Sequence, residues 1–220
     1  MGNDKKKNLW LAAGMLAAFV LWTILVRFVD VRPIGPQGSS VGFGAVNGAV
    51  HGLTGTNMGL YMITDWLGLI PLGTVLGFAL LGLIQWIQRK GLWKVDADLL
   101  LLGGFFLAVL AVYAFFEIVV INYRPVLIEG NLEASYPSST TMLALCVMPA
   151  AGIQLRLRMK HQKRRKWIGN MIKGFTAFMV VGRMLSGVHW LTDIIGGILV
   201  SGGLVLMYGY LCRRICGTSD

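Results

Sequence analysis

Six long apolar runs dominate the chain. Water-soluble domains usually carry about a quarter charged residues, whereas this chain is 14% charged and 55% hydrophobic. A helix of about 20 mostly apolar residues spans the hydrocarbon core of a bilayer, and each run has about this length. They predict an all-α polytopic membrane protein with six transmembrane helices in one bundle. The predicted spans are residues 9–28, 70–87, 99–123, 139–155, 167–187 and 194–212.

The spacing of these runs predicts a single membrane domain over residues 1–220, because the connections leave no room for a separate soluble domain. The one long connection, residues 31–69, is glycine-rich and mildly apolar. We interpret it as an interfacial or re-entrant segment outside the bundle core.

Lysine and arginine residues cluster on one side of the predicted spans. They lie at both ends of the chain and after the second and fourth spans, where the tract 156–166 alone carries seven. The positive-inside rule places these tracts and both termini in the cytoplasm, and segment 31–69 outside. Short basic runs between apolar segments argue against a nucleic acid partner, despite the net charge of +10. The tract 156–166 either contacts anionic lipid head groups or serves only as a sidedness anchor.

The stretch "GRMLSGVHWLTD", residues 182–193, places three ionisable side chains at the external end of a span. His189 and Asp193 are four residues apart, so a helix would place them on one face. A carboxylate there could accept the Nδ1 proton of the imidazole and leave Nε2 free as a nucleophile or base. Arg183 can bind phosphate oxygens through two parallel hydrogen bonds.

Two more polar groups are predicted at the same membrane face. Arg124 ends the third span in "INYRP", and Ser138 and Ser139 begin the fourth, where free backbone N–H groups favour an anion. Together with the histidine and Arg183 they suit a phosphate group. Each also has a simpler interpretation: Arg183 and Asp193 as interfacial anchors, His189 as a histidine with satisfied hydrogen bonds, and "YPSS" as an ordinary helix start.

The order of these residues resembles the type-2 phosphatidic acid phosphatase superfamily of integral membrane lipid phosphatases. That pattern is K-x6-R-P, then P-S-x-H, then S-R-x5-H-x3-D. The third part here has Arg183, His189 and Asp193 at the matching spacing. The second part is Pro137 to Thr140, and the first begins at Glu117 and ends at Arg124-Pro125.

The resemblance implies that His189 is a nucleophile forming a phosphohistidine and that Asp193 orients and stabilises it. It also implies a group of residues around the phosphoryl oxygens, with nearby backbone N–H groups: Arg124, Arg183, Ser138, Ser139 and Thr140. The superfamily requires no metal, and the sequence has no cluster with metal-ligand spacing. We therefore expect neither a metal nor a cofactor.

Thr140 replaces the histidine that the superfamily uses as general acid, and threonine cannot deliver a proton near neutral pH. General acid catalysis is worth roughly 10²–10⁴-fold. A lipid alkoxide needs the proton as it leaves, whereas a lipid phosphate leaving from a diphosphate is a much weaker base. The substitution thus favours a diphosphate substrate, unless Glu133 or Glu129 replaces the missing acid.

Two other positions depart from the pattern. Gly182 replaces a serine, which is a mild change, and Glu117 replaces the lysine, which inverts a charge. Lying two helical turns before Arg124, Glu117 is predicted deep in the third span. Three roles stay open for it: bridging to an arginine, donating a proton, or repelling phosphate.

The predicted function is hydrolysis of a lipid phosphate, of the undecaprenyl diphosphate type, at the outer face of the cell (inner or plasma) membrane. The expected partners are this substrate and membrane lipids. One alternative is a catalytically impaired relative that binds or moves lipid phosphates. Another is a lipid phosphotransferase, with segment 31–69 and its His51 contributing an acceptor site.

Overall fold

The computed structural model describes residues 2–215, with side chains from residue 6 onward. This part of the chain contains eight α-helices and no β-strand, with only three isolated β-bridges in the loops. The helices are α1 (Gly2–Phe28), α2 (Gly44–Thr54), α3 (Met58–Leu67), α4 (Leu69–Arg89), α5 (Ala97–Ile118), α6 (Ser139–Arg158), α7 (Gln162–Leu185) and α8 (Leu191–Ile215). Short 3-10 helices occupy Pro36–Gly38 and Leu92–Lys94.

Five segments of residues 2–215 are long and apolar enough to cross a membrane, so the protein is a polytopic integral membrane protein. They are Lys6–Phe28, Met58–Arg89, Ala97–Ile118, Ser139–Arg158 and Leu191–Ile215. The predicted fifth span forms a helix, α7, but is not among these five. Its first turns are strongly basic, and Lys173 and Arg183 interrupt its apolar part. The count of six spans and the placement of the termini remain predictions.

Three segments differ from the sequence-based expectation. The span predicted over 99–123 ends earlier, at Ile118. The tract 156–166, predicted as a loop, is mostly helical, because α6 continues to Arg158 and α7 starts at Gln162. Segment 31–69 contains α2 and α3, and its end is part of the candidate span Met58–Arg89, because α3 leads almost directly into α4.

The early end of α5 changes the interpretation of Glu117. This residue lies in the last turn of α5, and Arg124 lies beyond the helix in a loop, so the two do not share a helix as predicted. The loop has its own backbone pairing: the Arg124 N–H donates to the Glu133 carbonyl, and the Ser135 N–H donates to the Asn122 carbonyl. The helix does not continue through this loop because these backbone groups pair with each other and because Pro125 has no N–H to donate.

Helix α8 contacts α1, α2, α5, α6 and α7. Small residues allow this close packing. A methyl group added at Gly203 would lie 2.7 Å from the Leu16 side chain of α1, and one at Gly197 would lie 3.4 Å from the Ser138 carbonyl oxygen. On the same side of α8, the Ser201 hydroxyl donates to the Met142 carbonyl of α6. The middle of α8 is therefore packed closely against α1 and α6.

The basic residues and the polar cluster of the "GVHWLTD" region lie at opposite ends of the bundle. At one end Arg158 of α6 pairs with Asp98 of α5 at 2.7 Å, and Gln154 bonds the Tyr208 hydroxyl near the end of α8. At the other end the last turn of α7, the first turn of α8 and the loop after α5 meet. This second end holds the candidate site.

Candidate active site

His189 lies in the short turn between α7 and α8. Gly187 of this turn has φ +66°, a conformation that favours glycine. A Cβ at this position would lie only 1.8 Å from the Gly55 carbonyl oxygen. The link between α2 and α3 also contacts the turn through the Asn57 N–H, which donates to the Ser186 carbonyl. The turn before His189 is therefore packed closely against the link between α2 and α3.

Asp193 lies in the first turn of α8, where its carboxylate accepts a hydrogen bond from the Trp190 N–H at 2.9 Å. The Trp190 N–H lies at the start of the helix, where backbone N–H groups have no partner within the helix, and the Asp193 side chain supplies one. Asn47 of α2 supports the same turn: its side-chain oxygen accepts from the Thr192 N–H, and its amide donates to the Thr192 hydroxyl. His189 precedes the helix, so the two predicted partners do not share a helical face as expected.

Two guanidiniums flank the imidazole. His189 Nε2 lies 3.3 Å from Nη1 of Arg124 and 3.4 Å from Nη2 of Arg183. A guanidinium only donates hydrogen bonds, so Nε2 must be the acceptor and the ring proton must sit on Nδ1. Nδ1 lies 3.8 Å from Asp193 Oδ2, which is longer than a hydrogen bond. The carboxylate nevertheless lies where it favours this tautomer.

The cluster is buried and rich in positive charge. Arg183 is fully buried, and Arg124 and His189 are 8% and 3% exposed. Burial, followed by the charges of Arg124 and Arg183, holds the pKa of His189 well below its usual 6.5. The imidazole is therefore neutral near pH 7, and its unprotonated Nε2 faces the two guanidiniums. Two cations held this close in a low dielectric favour an anion between them.

Two carboxylates flank these arginines from the solvent side. Glu133 Oε2 lies 2.9 Å from Nε of Arg124, and Asp65 Oδ1 lies 3.7 Å from Nη1 of Arg183. Both side chains are substantially exposed, at 42% and 58%. The Arg183 guanidinium also stacks 4.9 Å above the centre of the Tyr61 ring.

Several residues of the site were not predicted from sequence. Asn122 donates its side-chain amide to Asp193 Oδ1 at 3.1 Å, and Tyr61, Thr64 and Asp65 of α3 surround Arg183. Asn122 stands two residues before Arg124 in the "INYRP" motif, which is a usable signal. Asp65 is the charged residue of the mostly apolar helix α3, and a charge in such a segment indicates a functional position.

Ser138 lies beside the site, but its hydroxyl is used locally. The hydroxyl donates to Thr141 Oγ1 at 3.0 Å, and the Ser138 N–H donates to the Asp193 carbonyl. Ser139 and Thr140 line an apolar cavity of about 680 Å³ between α4, α5 and α6. Neither makes a hydrogen bond or an ion pair with His189, so their substrate-binding role stays a prediction.

Glu117 is exposed on α5, next to Tyr113, and lines a small crevice with Ser139. Among the ion pairs of the described residues, Arg124 pairs with Glu133 rather than with Glu117. Within residues 2–215 no cluster of three or more histidine, cysteine or acidic side chains could hold a metal ion.

The model of the PAP2 superfamily matches residues 115–215. Residues 115–215 thus resemble the PAP2 superfamily. The match covers α6 to α8 and the loop after α5, and it contains every site residue predicted from sequence. The predicted resemblance is thus confirmed. Asn47 and the α3 residues around Arg183 lie outside the matched region.

Two known proteins are also similar to this chain. Phosphatidylglycerophosphatase B of Bacillus subtilis (strain 168) is 32% identical over 88 residues, which are 40% of this chain and 41% of that protein. The chain therefore aligns with about two fifths of this curated relative. The crystal structure of a transmembrane PAP2 type phosphatidylglycerolphosphate phosphatase from Bacillus subtilis has a TM-score of 0.60 at 18% identity. That alignment covers 94% of this chain and 98% of the other, and it shows a shared fold.

Proposed function

We propose that the protein is a metal-independent membrane lipid phosphatase that forms a phosphohistidine at His189. The observation that carries the proposal is the pair of buried guanidiniums at 3.3 and 3.4 Å from one imidazole nitrogen. Guanidiniums bind phosphoryl oxygens through paired, charge-assisted hydrogen bonds. A phosphoryl group bound by both arginines presents its phosphorus to Nε2 of His189.

In the first step, the Nε2 lone pair forms a bond to phosphorus. The bond from phosphorus to the leaving lipid oxygen breaks, and that oxygen keeps the electron pair. Positive charge develops on the imidazole, and the Asp193 carboxylate at 3.8 Å from Nδ1 stabilises it. In the second step, water attacks phosphorus, the phosphorus–nitrogen bond breaks, and its electron pair returns to Nε2.

The leaving group indicates the substrate class. Thr140 cannot supply a proton to the leaving group. General acid catalysis contributes roughly 10²–10⁴-fold to the rate, so a leaving group that needs no proton is favoured. The proposed substrate is a polyprenyl diphosphate, of the undecaprenyl diphosphate type, from which a lipid phosphate leaves. Phosphatidylglycerophosphate is the second candidate, because both Bacillus relatives carry that substrate in their names.

The site is proposed to face the outside of the cell membrane. The basic residues gather at the opposite end of the bundle, and lysine and arginine favour the cytoplasmic side. The apolar cavity of about 680 Å³ beside Ser139 and Thr140 is a suitable place for part of the lipid chain.

The test is phosphate release by the full chain in detergent. The substrates are undecaprenyl diphosphate, undecaprenyl phosphate, phosphatidic acid and phosphatidylglycerophosphate. We expect release that is fastest from the diphosphate and abolished by His189→Ala. His161→Ala, which changes the histidine between α6 and α7, is the matched control and should retain activity.

Other outcomes identify the alternatives. Absence of release from all four lipids, with lipid still bound, would indicate an impaired relative that binds or moves lipid phosphates. Label passing from His189 to a second lipid instead of water would indicate a phosphotransferase. In that case His51 deserves substitution, since its ring packs 5.4 Å from that of Trp190, next to His189.

A further inference from the structure

The second step of the proposed reaction needs a base for the attacking water. Thr140, at the position where the superfamily pattern has histidine, has no group that can accept a proton near neutral pH. His189 is itself phosphorylated at that stage, and Asp193 lies behind it, 3.8 Å from Nδ1 and bonded to Asn122 and Trp190. The base must therefore be a different side chain. It must lie on the side of phosphorus from which the lipid leaves, since water attacks from that side.

Asp65 of α3 and the proposed nucleophile His189 both lie close to the guanidinium of Arg183. Arg183 has Nη2 at 3.4 Å from His189 Nε2 and Nη1 at 3.7 Å from Asp65 Oδ1. A phosphoryl group bound to this guanidinium would therefore lie close to both the imidazole and the carboxylate. Asp65 is 58% exposed, so water reaches it, whereas Arg183 is fully buried.

Asp65 also borders the position of Thr140. At the junction of α3 and α4, a Cβ added at Gly68 would lie 2.8 Å from the Asp65 carbonyl oxygen and 3.5 Å from the Thr140 methyl group. The last turn of α3 and the first turn of α6 therefore meet there. The turn of α3 that carries Asp65 is thus close to the position at which the superfamily pattern has the missing histidine.

Glu133, the other flanking carboxylate, is held differently. Its backbone carbonyl accepts the Arg124 N–H, and its carboxylate lies 2.9 Å from Nε of Arg124. Both contacts are within one loop, and Nε is not the atom of Arg124 that faces His189. Glu133 thus stabilises the loop, and it provides a matched control for Asp65.

We propose that Asp65 is the general base that activates water for hydrolysis of the phosphohistidine. This inference rests on the proposed function. The Asp65 carboxylate takes a proton from water, the water oxygen bonds to phosphorus, and the phosphorus–nitrogen bond breaks. The electron pair of that bond returns to His189 Nε2, and the proton passes from Asp65 to solvent after phosphate leaves. Asp65 has no part in the first step.

The test separates the two steps in the full chain. The substrate is undecaprenyl diphosphate or phosphatidylglycerophosphate, whichever the unaltered protein hydrolyses faster. It carries ³²P in the terminal phosphate and is mixed with excess enzyme. Release of the lipid product reports the first step, and loss of label from the protein reports the second. In Asp65→Asn we expect the first step to be nearly unchanged and the second to slow by about 10²–10⁴-fold, so that labelled protein accumulates. Asp65→Glu should restore part of the second step, and Glu133→Gln should leave the ratio of the two rates unchanged.

Hydroxylamine distinguishes a base from a merely structural residue. It is a stronger nucleophile than water and needs no base, so it should remove the label from Asp65→Asn and from the unaltered protein at similar rates. Equal slowing of both steps in Asp65→Asn, or an unchanged second step, would overturn the assignment of Asp65 and leave the phosphatase proposal standing. Absence of both label and phosphate release in the unaltered protein would instead remove the proposed function, and this inference with it.

Discussion

The side-chain amide of Asn122 donates a hydrogen bond of 3.1 Å to the carboxylate of Asp193, across 71 residues of sequence. Both side chains are almost fully buried. The bond links the loop after α5, which carries Arg124, to the first turn of α8, which follows His189. This contact thus ties the loop that carries Arg124 to the carboxylate beside His189, the proposed nucleophile.

Replacing Asn122 by alanine should therefore lower phosphatase turnover. Loss of one hydrogen bond to a charged group costs about 1.5–3 kcal/mol, which corresponds to roughly a 10- to 100-fold fall in rate. Initial rates in detergent measure the change. Asn131→Ala should have little effect, because Asn131 lies in the same loop but is exposed, and its side chain donates to the Glu129 carbonyl of that loop. Equal losses in the two variants would contradict a specific role for Asn122.

Inorganic phosphate should stabilise the protein against heat. A ligand that binds only the folded state adds about 2.7 kcal/mol at 100 times its dissociation constant, and phosphate also relieves repulsion between Arg124 and Arg183. Thermal unfolding in detergent, with sodium chloride at the same ionic strength as reference, measures the shift. Arg124→Gln should reduce it strongly. Arg32→Gln, which removes an exposed arginine paired with Asp30, should keep it, and a shift that survives Arg124→Gln would refute this anion site.

His189 should stay neutral at a pH where an ordinary histidine is protonated. Burial and the two guanidiniums lower its pKa below 6.5, so its protonation requires more acid. In ¹⁵N-histidine NMR spectra we expect a neutral ring with the proton on Nδ1, and a titration midpoint below 6.5. Arg124→Gln removes one nearby positive charge and should move the midpoint upward. The signal is assigned by its loss in His189→Ala, and a midpoint at or above 6.5 in the unaltered protein would contradict the described electrostatics.

Gly187→Ala should destabilise the turn that carries His189. Alanine is strained at φ +66°, and its Cβ would overlap the Gly55 carbonyl. Strain of this kind costs about 1–3 kcal/mol, so the unfolding temperature and the turnover should both fall. Gly52→Ala is the matched control, because Gly52 is exposed in α2 with nothing within 4 Å of an added Cβ. There a gain of about 0.5–1 kcal/mol is expected, and similar effects at the two positions would argue against a strained turn.

Much of the architecture follows from local sequence. The apolar runs predict helices because backbone groups in a bilayer must bond within their own segment, and the run over 9–28 indeed lies in α1. Ser139 begins α6 as predicted. The end of α5 was missed because its signal is not local: Asn122 and Arg124 leave the helix to contact Asp193 and His189, which are distant in sequence.

The spacing of Arg183, His189 and Asp193 pointed to a phosphate site, since these residue types at these intervals suit one anion, and the match to the PAP2 superfamily confirmed the resemblance. The amino-acid sequence by itself determined the helical membrane character, the segregation of basic residues and this polar motif, because each depends on composition and short-range spacing. Only the tertiary structure decided that Asn122 supports Asp193, that Asp65 rather than Glu117 lies on the buried guanidinium, and that Thr140 faces an apolar cavity. Those relationships depend on how α3, α5, α6 and α8 pack, and such packing brings together residues that no sequence interval connects.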